Sequence, residues 1–118
     1  MAPEKKDCIF CQIVAGQLPA KLLYEDDEVV VFPDINPAAP THLLVVTRRH
    51  IPSVAQLADD DTATVGHMVM VANRLARQYG FADSGYRLVI NCGKEGGQMV
   101  PHLHLHLLAG RKLSDAMG

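Results

Sequence analysis

Hydrophobic and polar positions along the chain predict five strands. Short runs rich in valine, leucine and aromatic residues, bounded by turn-forming or charged residues, are typical of strands. They cover 21–26 (KLLYED), 28–34 (EVVVFPD), 42–48 (HLLVVTR), 86–92 (YRLVINC) and 99–110 (MVPHLHLHLLAG). In the last run leucine and histidine alternate strictly. A strand would therefore place its leucines on one face and His102, His104 and His106 on the other.

One long segment, 58–80 (ADDDTATVGHMVMVANRLARQYG), has the hydrophobic spacing of a helix. Asp59–Asp61 supply caps and favourable negative charge at its start, and Gly80 ends it. Apolar residues three and four positions apart form a stripe that consists of Val65, Met68, Val69, Ala72, Leu75, Ala76 and Tyr79. Met70 and Val71 widen the apolar surface beyond this stripe.

A shorter helix is predicted over 8–15 (CIFCQIVA), with Asp7 as its N-cap and Gly16 as its stop. The proline-containing segment 35–41 and the glycine-rich segment 93–98 are predicted loops. Glycines in the second loop allow backbone N–H groups to approach an anion closely. Together these elements predict an α+β fold, in which two helices pack on a mostly antiparallel five-stranded sheet.

Length and composition favour one globular domain. The chain has 118 residues, 48% of them hydrophobic, and we expect a flexible tail over 1–7 and a single domain over 8–118. A net charge of −2 argues against a nucleic-acid partner. No apolar run approaches membrane-spanning length, and the N-terminus lacks an apolar signal segment. We therefore expect a cytoplasmic protein with no membrane partner.

The row of histidines admits three interpretations. A solvated strand face would leave the alternation of three imidazoles unexplained. A metal site is the second interpretation, because neutral imidazole is a common ligand. Nucleophilic catalysis at phosphorus is the third. Imidazole is largely neutral near pH 7, and a phosphorylated imidazole is labile enough for water to complete the reaction.

The cysteines and the remaining histidines also leave alternatives open. Cys8 and Cys11 form a C-x-x-C pair, which fits a redox dithiol, two small core residues or half of a zinc site. Cys92 lies in a strand pattern and is expected to be a buried free thiol. His67 lies beside the apolar stripe of the long helix and is expected to be solvated or at the boundary of the core.

Several ordered motifs resemble one known family. The segment 102–108 (HLHLHLL) matches the His-x-His-x-His-x-x pattern, with x apolar, of the histidine triad (HIT) family. Three further segments resemble its Hint (histidine triad nucleotide-binding) branch: CIFCQIVAGQLPAKLLYEDD, VFPDINPAAPTHLLVVTRRHI and GYRLVINCGKEGGQMVPHLHLHLLAGR. The similarity extends from about Cys8 to Arg111, nearly the whole chain.

The resemblance implies a hydrolase that acts on purine nucleoside 5′-phosphoramidates and releases AMP. It makes His104 the nucleophile and His106 a phosphate contact. His102 becomes an orienting or metal-binding group, and His42 a further histidine near the triad. Two alternatives remain. One is a hydrolase of dinucleoside polyphosphates, as in the fragile histidine triad branch, and the other is a nucleotide-binding regulator with vestigial catalysis.

The resemblance also implies a nucleotide pocket. Asp34 would accept the ribose hydroxyls, although an aspartate at the end of a strand is also an ordinary turn residue. The apolar base lining would be Ile9, Phe10, Phe32, Ile35 and Leu44, of which either phenylalanine could equally be core. Asn91, Gly97 and Gln98 would meet the phosphate and ribose. Met99 occupies a position where this branch often has serine, and a thioether cannot donate a hydrogen bond to the leaving group.

A structural zinc and a homodimer are further implications. Some bacterial relatives, and the related galactose-1-phosphate uridylyltransferases, carry a zinc whose ligands match Cys8, Cys11, His50 and His102. No organic cofactor is expected. Relatives in the Hint branch are homodimers with a sheet continued across the interface. We expect an interface that contains part of 62–79 and the edge strand 86–92, since an exposed edge invites pairing.

Overall fold

The computed structural model describes residues 7–116, and within that range it contains a five-stranded antiparallel sheet and two α-helices. The strands are β1 (Tyr24–Glu25), β2 (Val29–Pro33), β3 (Thr41–Thr47), β4 (Arg87–Val89) and β5 (His104–Ala109). Their order across the sheet is β1-β2-β3-β5-β4, and every neighbouring pair is antiparallel. The predicted α+β fold is confirmed. The expected tail over 1–7 lies outside the described residues except for Asp7, which is exposed.

The two edge strands are shorter than predicted. β1 has two residues and β4 has three, while β2 and β3 agree with the prediction to within one residue at each end. β5 begins only at His104, because the N–H groups of His102 and Leu103 donate to the carbonyl groups of Val100 and Ile51 and not to a neighbouring strand. The expectation that Cys92 is buried is wrong. β4 ends at Val89, so that Cys92 has left the sheet and is exposed at the start of the glycine-rich loop.

The helices are α1 (Ile9–Val14) and α2 (Thr62–Gln78), with 3₁₀ turns at Val54–Gln56 and Asp59–Asp61. The N-cap of α1 is Cys8 rather than the predicted Asp7, and the Cys8 sulfur accepts a hydrogen bond from the Cys11 N–H.

The end of α2 agrees with the prediction. Gly80 has a φ of 85°, a left-handed conformation in which glycine is favoured. The N–H groups of Gly80 and Phe81 bond back to the carbonyl groups of Arg77 and Ala76, a Schellman motif.

Both faces of the central strands are covered. Odd-numbered residues of β2, β3 and β5 pack against α2, and even-numbered residues of β2 and β3 pack against α1. Val71 is fully buried in the first of these two clusters. The prediction that Val71 adds exposed surface is therefore wrong, because α2 buries a wider face than one stripe. Met70 remains 45% exposed.

A polar contact fastens α2 to the turn between β1 and β2. The ring of His67 lies at the boundary of the core, as expected, and its Nε2 is 2.6 Å from Oδ2 of Asp26. Asp26 also accepts hydrogen bonds from the Tyr24 hydroxyl and from the N–H groups of Glu28 and Val29.

None of the helices within 7–116 combines the length and hydrophobicity that a bilayer-spanning helix requires.

Candidate active site

The triad histidines lie along one side of β5 and of the two residues that precede it. His104 and His106 pair with Val46 and Leu44 of β3, on the face that packs against α1. Their ring centroids are 4.9 Å apart. His102 lies two residues before the start of β5 and is completely buried. The intervening leucines pack in the cluster under α2, so that the predicted division of the two faces is confirmed.

The hydrogen bonding of His104 determines where its lone pair lies. Its Nδ1 is 2.7 Å from the backbone carbonyl oxygen of His102. A carbonyl can only accept, so Nδ1 carries the hydrogen and donates it. Burial lowers the pKa of His104, and the His102 carbonyl and the Asp34 carboxylate offset only part of that effect. The ring is therefore neutral near pH 7, with an unprotonated Nε2.

His42 and His106 form a second hydrogen-bonded unit. Nδ1 of His42 accepts from the backbone N–H of Ala38 at 3.0 Å, which leaves the hydrogen on Nε2. That Nε2 lies 2.9 Å from Nδ1 of His106 and 3.4 Å from Oδ2 of Asp34. Since His42 donates to His106, the free ring hydrogen of His106 is on Nε2.

This unit is suited to hydrogen bonding rather than to metal binding. Asp34, His42 and His106 could bring three ligand atoms together, but Nε2 of His42 carries a hydrogen and offers no lone pair. Burial lowers the pKa of His42. Burial, together with the neighbouring His104 and His42 rings, lowers the pKa of His106 to about 4. Both rings are therefore neutral near pH 7. His42 donates to His106, and His106 keeps an Nε2 hydrogen that it can donate.

A cavity of about 610 Å³ opens over the histidines. It has the size of an ordinary small-molecule site. Its wall includes most of the nucleotide-binding residues predicted from the sequence: Ile9, Phe10, Phe32, Asp34, Ile35, Leu44, Asn91, Gly97, Met99, His104 and His106. Phe10 packs edge-on against both Phe32 and His104, with centroid distances of 5.6 Å and 5.1 Å. An apolar compartment thus adjoins the imidazoles.

The residues that line the cavity differ in part from the predicted nucleotide contacts. Gln98 is the one predicted nucleotide contact that does not line the cavity. Lys21 and Asn36 do line it and were not predicted. Lys21 was assigned to a strand, but β1 begins only at Tyr24, so Lys21 lies in the exposed loop beside the cavity. An isolated cation before a strand carries no sequence signal that would mark it as a site residue.

A separate buried cluster unites the four predicted zinc ligands. Nδ1 of His102 is 3.3 Å from the Cys8 sulfur and 3.5 Å from the Cys11 sulfur, and Nδ1 of His50 is 3.2 Å from the Cys11 sulfur. Usual zinc bond lengths in a tetrahedron give a sulfur–nitrogen edge of about 3.5 Å. All four ligand atoms lie within 4.8 Å of one another. The spacing fits a Cys₂His₂ zinc site.

The surroundings of His102 agree with that assignment. Its Nε2 lies 2.6 Å from the Thr47 carbonyl oxygen, so the ring hydrogen is on Nε2 and Nδ1 presents its lone pair to the cysteines. Burial lowers the pKa of His102 to about 4, which keeps the ring neutral. The first triad histidine therefore belongs to the cysteine cluster, while the second and third belong to the cavity.

Comparisons with known proteins agree with this geometry. A family model described as the HIT domain matches residues 15–113. The purine nucleoside phosphoramidase of Escherichia coli K12 is 42% identical over 112 residues, which are 95% of this chain and 94% of that protein. The protein is therefore a hydrolase of the histidine triad class, and the chain belongs to the HIT family.

Solved structures show the same fold. A histidine triad protein from Clostridium difficile superposes with a TM-score of 0.94 at 45% identity, covering 98% of this chain and all of the other. A HIT family hydrolase from Legionella pneumophila gives a TM-score of 0.92 at 42% identity, covering 95% of this chain and 100% of the other. A histidine triad nucleotide-binding protein from Candida albicans gives 0.78 at 26% identity, covering 95% and 87%.

Proposed function

We propose that the protein hydrolyses the phosphorus–nitrogen bond of purine nucleoside 5′-phosphoramidates and releases the nucleoside monophosphate. The main support for this proposal is the unprotonated Nε2 of His104. The His104 ring is held in place by its hydrogen bond to the His102 carbonyl. It supplies a neutral nucleophile that needs no separate base. The name of the Escherichia coli relative supports the same substrate class.

The lining of the cavity offers separate contacts for the base and the ribose of such a substrate. The purine would lie against the apolar wall that includes Phe10, Phe32 and Leu44. The Asp34 carboxylate at the end of β2 would accept hydrogen bonds from the ribose hydroxyls, while its other oxygen is held by the Asn36 N–H at 2.8 Å. This placement directs the 5′-phosphorus toward His104.

The first chemical step replaces nitrogen by His104 at phosphorus. Nε2 of His104 forms a bond to phosphorus, the phosphorus–nitrogen bond breaks, and the departing nitrogen takes a proton from solvent to leave as an amine. The hydrogen on Nδ1 stays in place against the His102 carbonyl. The nucleotidylated ring is therefore cationic, which makes it a good leaving group for the second step.

Water completes the reaction. It attacks phosphorus, loses a proton to solvent and displaces His104, which returns to its starting form as the monophosphate leaves. His106 donates its free Nε2 hydrogen to a phosphoryl oxygen in both steps, and the Ala38–His42 bond fixes the direction of that donor. Phosphoryl charge that develops in the transition state thus meets a preoriented hydrogen bond.

Product analysis tests the proposal against its alternatives. Wild-type protein is incubated separately with adenosine 5′-phosphoramidate and with a diadenosine polyphosphate. We expect AMP and free amine from the first substrate at a much higher kcat/KM than any AMP from the second. The reverse preference would identify a dinucleoside polyphosphate hydrolase. Tight AMP binding without turnover of either would identify a nucleotide-binding regulator.

A structural zinc belongs to the proposal. Cys8, Cys11, His50 and His102 would hold it, and bound zinc supplies folding energy rather than a reacting group. Its effect on catalysis would be indirect. A fixed His102 places the carbonyl that holds His104, so the cluster steadies the nucleophile through one residue.

We also propose a cytoplasmic homodimer whose partner continues the sheet. β4 is an edge strand, and Met70 of α2 leaves an apolar side chain 45% exposed. Pairing two copies through this region would cover both features. Zinc binding needs Cys8 and Cys11 in their reduced form, which the cytoplasm maintains.

A further inference from the structure

The side-chain amide of Gln98 uses both of its N–H donors and its oxygen in bonds within the protein. Its Oε1 accepts from the Gly93 N–H at 2.9 Å, and its Nε2 donates to the carbonyl groups of Pro52 at 2.8 Å and Val100 at 2.9 Å. Two carbonyl acceptors on one side and an N–H donor on the other permit only this orientation of the amide. The backbone N–H of Gln98 also donates, to the Gly93 carbonyl at 3.0 Å. Every N–H of this residue is therefore used before a nucleotide arrives.

These bonds connect the glycine-rich loop to the segment that begins the triad. The Ile51 carbonyl accepts from the Leu103 N–H at 2.7 Å, and the next carbonyl, that of Pro52, accepts from Gln98. The segment 50–52 thus bonds to the chain entering β5 and to the loop 93–98. Gln98 also closes the loop on itself through Gly93.

The residues on either side of Gln98 form part of the cavity wall. Gly97 and Met99 line the cavity together with His104, whereas Gln98 does not. The Gln98–Pro52 bond ties these two neighbours to the segment 50–52, and the Asn91 side chain, which donates to the Gly96 carbonyl at 2.8 Å, provides a second tie for the loop. We infer that Gln98 is a positioning residue, which sets the glycine-rich loop relative to the nucleophile without touching the nucleotide.

The expected effect of Gln98 on turnover rests on the proposed function, whereas its effect on the position of the loop does not. Replacing Gln98 by Glu keeps the size of the side chain and an oxygen for the Gly93 N–H. It also sets a carboxylate oxygen against the Pro52 and Val100 carbonyl groups, where no hydrogen is available to bridge them. Gln98→Met removes the polar atoms and adds no charge. Exposed Gln78 at the end of α2 provides the matched control Gln78→Glu.

Hydrogen exchange in the unliganded protein measures the structural role directly. In Gln98→Glu and Gln98→Met, we expect the Gly93 amide to exchange at least about tenfold faster. The carboxylate of the first variant is repelled by the Pro52 and Val100 carbonyl groups and so leaves its place beside Gly93, and the second variant has no oxygen to accept. The Leu103 amide should keep its wild-type rate, because its acceptor is the Ile51 carbonyl. An unchanged rate at Gly93 in both variants would overturn the inference.

Binding and turnover measure the consequence for the site. Adenosine lacks a phosphate and should bind both variants with wild-type affinity, whereas AMP should bind several-fold more weakly and kcat should fall about tenfold. Gln78→Glu should match wild type in all three measurements. Faster Gly93 exchange with normal AMP binding and kcat would show that the loop position is irrelevant to the reaction, and would overturn the positioning role. If wild type itself lacks phosphoramidate turnover, the proposed function fails, while the exchange and AMP results still judge Gln98.

Discussion

The backbone carbonyl of His102 accepts the Nδ1 hydrogen of His104 at 2.7 Å. The side chain of His102 meanwhile points its own Nδ1 at the sulfurs of Cys8 and Cys11. One residue therefore serves two sites, with its ring in the cysteine cluster and its carbonyl on the nucleophile. A metal bound to this cluster would therefore act on the proposed nucleophile only through the position of His102.

Removal of the cysteine ligands tests the metal site. We expect about one zinc per chain in native protein, since the sulfur–nitrogen spacing matches a tetrahedral site. Cys8→Ser combined with Cys11→Ser should abolish that zinc and lower the melting temperature, because metal-binding energy is folding energy. Metal analysis and thermal denaturation measure both effects.

Cys92→Ser is the matched control, because Cys92 is exposed and lies outside the cluster. It should keep its zinc and its melting temperature. A native protein that is metal-free and equally stable with and without chelator would contradict the assignment.

Met99 tests the leaving-group side of the cavity. Its side chain is 89% exposed at the cavity wall and cannot donate a hydrogen bond. Met99→Ser should raise kcat about tenfold on a substrate with a poor leaving group, equivalent to about 1–1.5 kcal/mol from one hydrogen bond. The same variant should have a smaller effect on a substrate with a good leaving group. Equal or lower kcat on both substrates would remove this role from Met99.

Asp26 should make stability depend on pH. Burial alone would raise its pKa, but hydrogen bonds from Glu28, Tyr24, Val29 and His67 outweigh burial and hold the pKa well below its usual value. A carboxyl whose pKa is depressed on folding stabilises the protein above its unfolded pKa, and that contribution disappears as the pH falls.

The matched variant is Asp26→Asn, which we expect to lose about 1–2 kcal/mol of unfolding free energy near neutral pH. The deficit relative to wild type should shrink as the pH drops below about 4. Urea denaturation at a series of pH values measures it. A deficit that stays constant down to about pH 2 would show that the charge of Asp26 is not its source.

The proposed homodimer is tested by adding a charge to the exposed part of α2. Val71→Glu would place a charge in the core of a single chain and unfold it, since Val71 is fully buried. Met70→Glu instead adds charge at an exposed position on the same helix. Light scattering should give a wild-type mass near twice the 12.9 kDa of one chain and a Met70→Glu mass closer to 12.9 kDa.

Gln78→Glu is the control for added charge alone, since Gln78 is exposed and also lies on α2, and it should leave the dimer intact. A wild-type mass of 12.9 kDa at micromolar concentration would contradict the dimer.

Local patterns predicted the parts of the fold that depend on local geometry. The strict alternation from His102 to Leu107 identified both faces of β5, because successive strand residues point to opposite sides. The stop of α2 was visible because Gly80 provides the left-handed turn that the helix end requires. The family resemblance, rather than spacing, supplied the partners His42, His50 and Asp34.

Other features depend on contacts between distant segments. Val71 is buried because α2 covers three strands, which the helical stripe alone does not reveal. The side chain of Gln98 bonds to the carbonyl group of Pro52, which lies 46 positions away in the sequence, and the glycine-rich motif does not reveal that contact. Cys92 is exposed because the edge strand β4 ends early.

The nucleophile is the central claim, and turnover by His104→Ala tests it most directly. Amine release from adenosine 5′-phosphoramidate is measured for wild type, for His104→Ala and for His67→Ala, whose ring bonds to Asp26 away from the cavity. We expect His104→Ala to lose several orders of magnitude in kcat while it still binds AMP, because base and ribose contacts lie on other residues. His67→Ala should turn over at close to the wild-type rate. Near-normal turnover by His104→Ala would contradict the account.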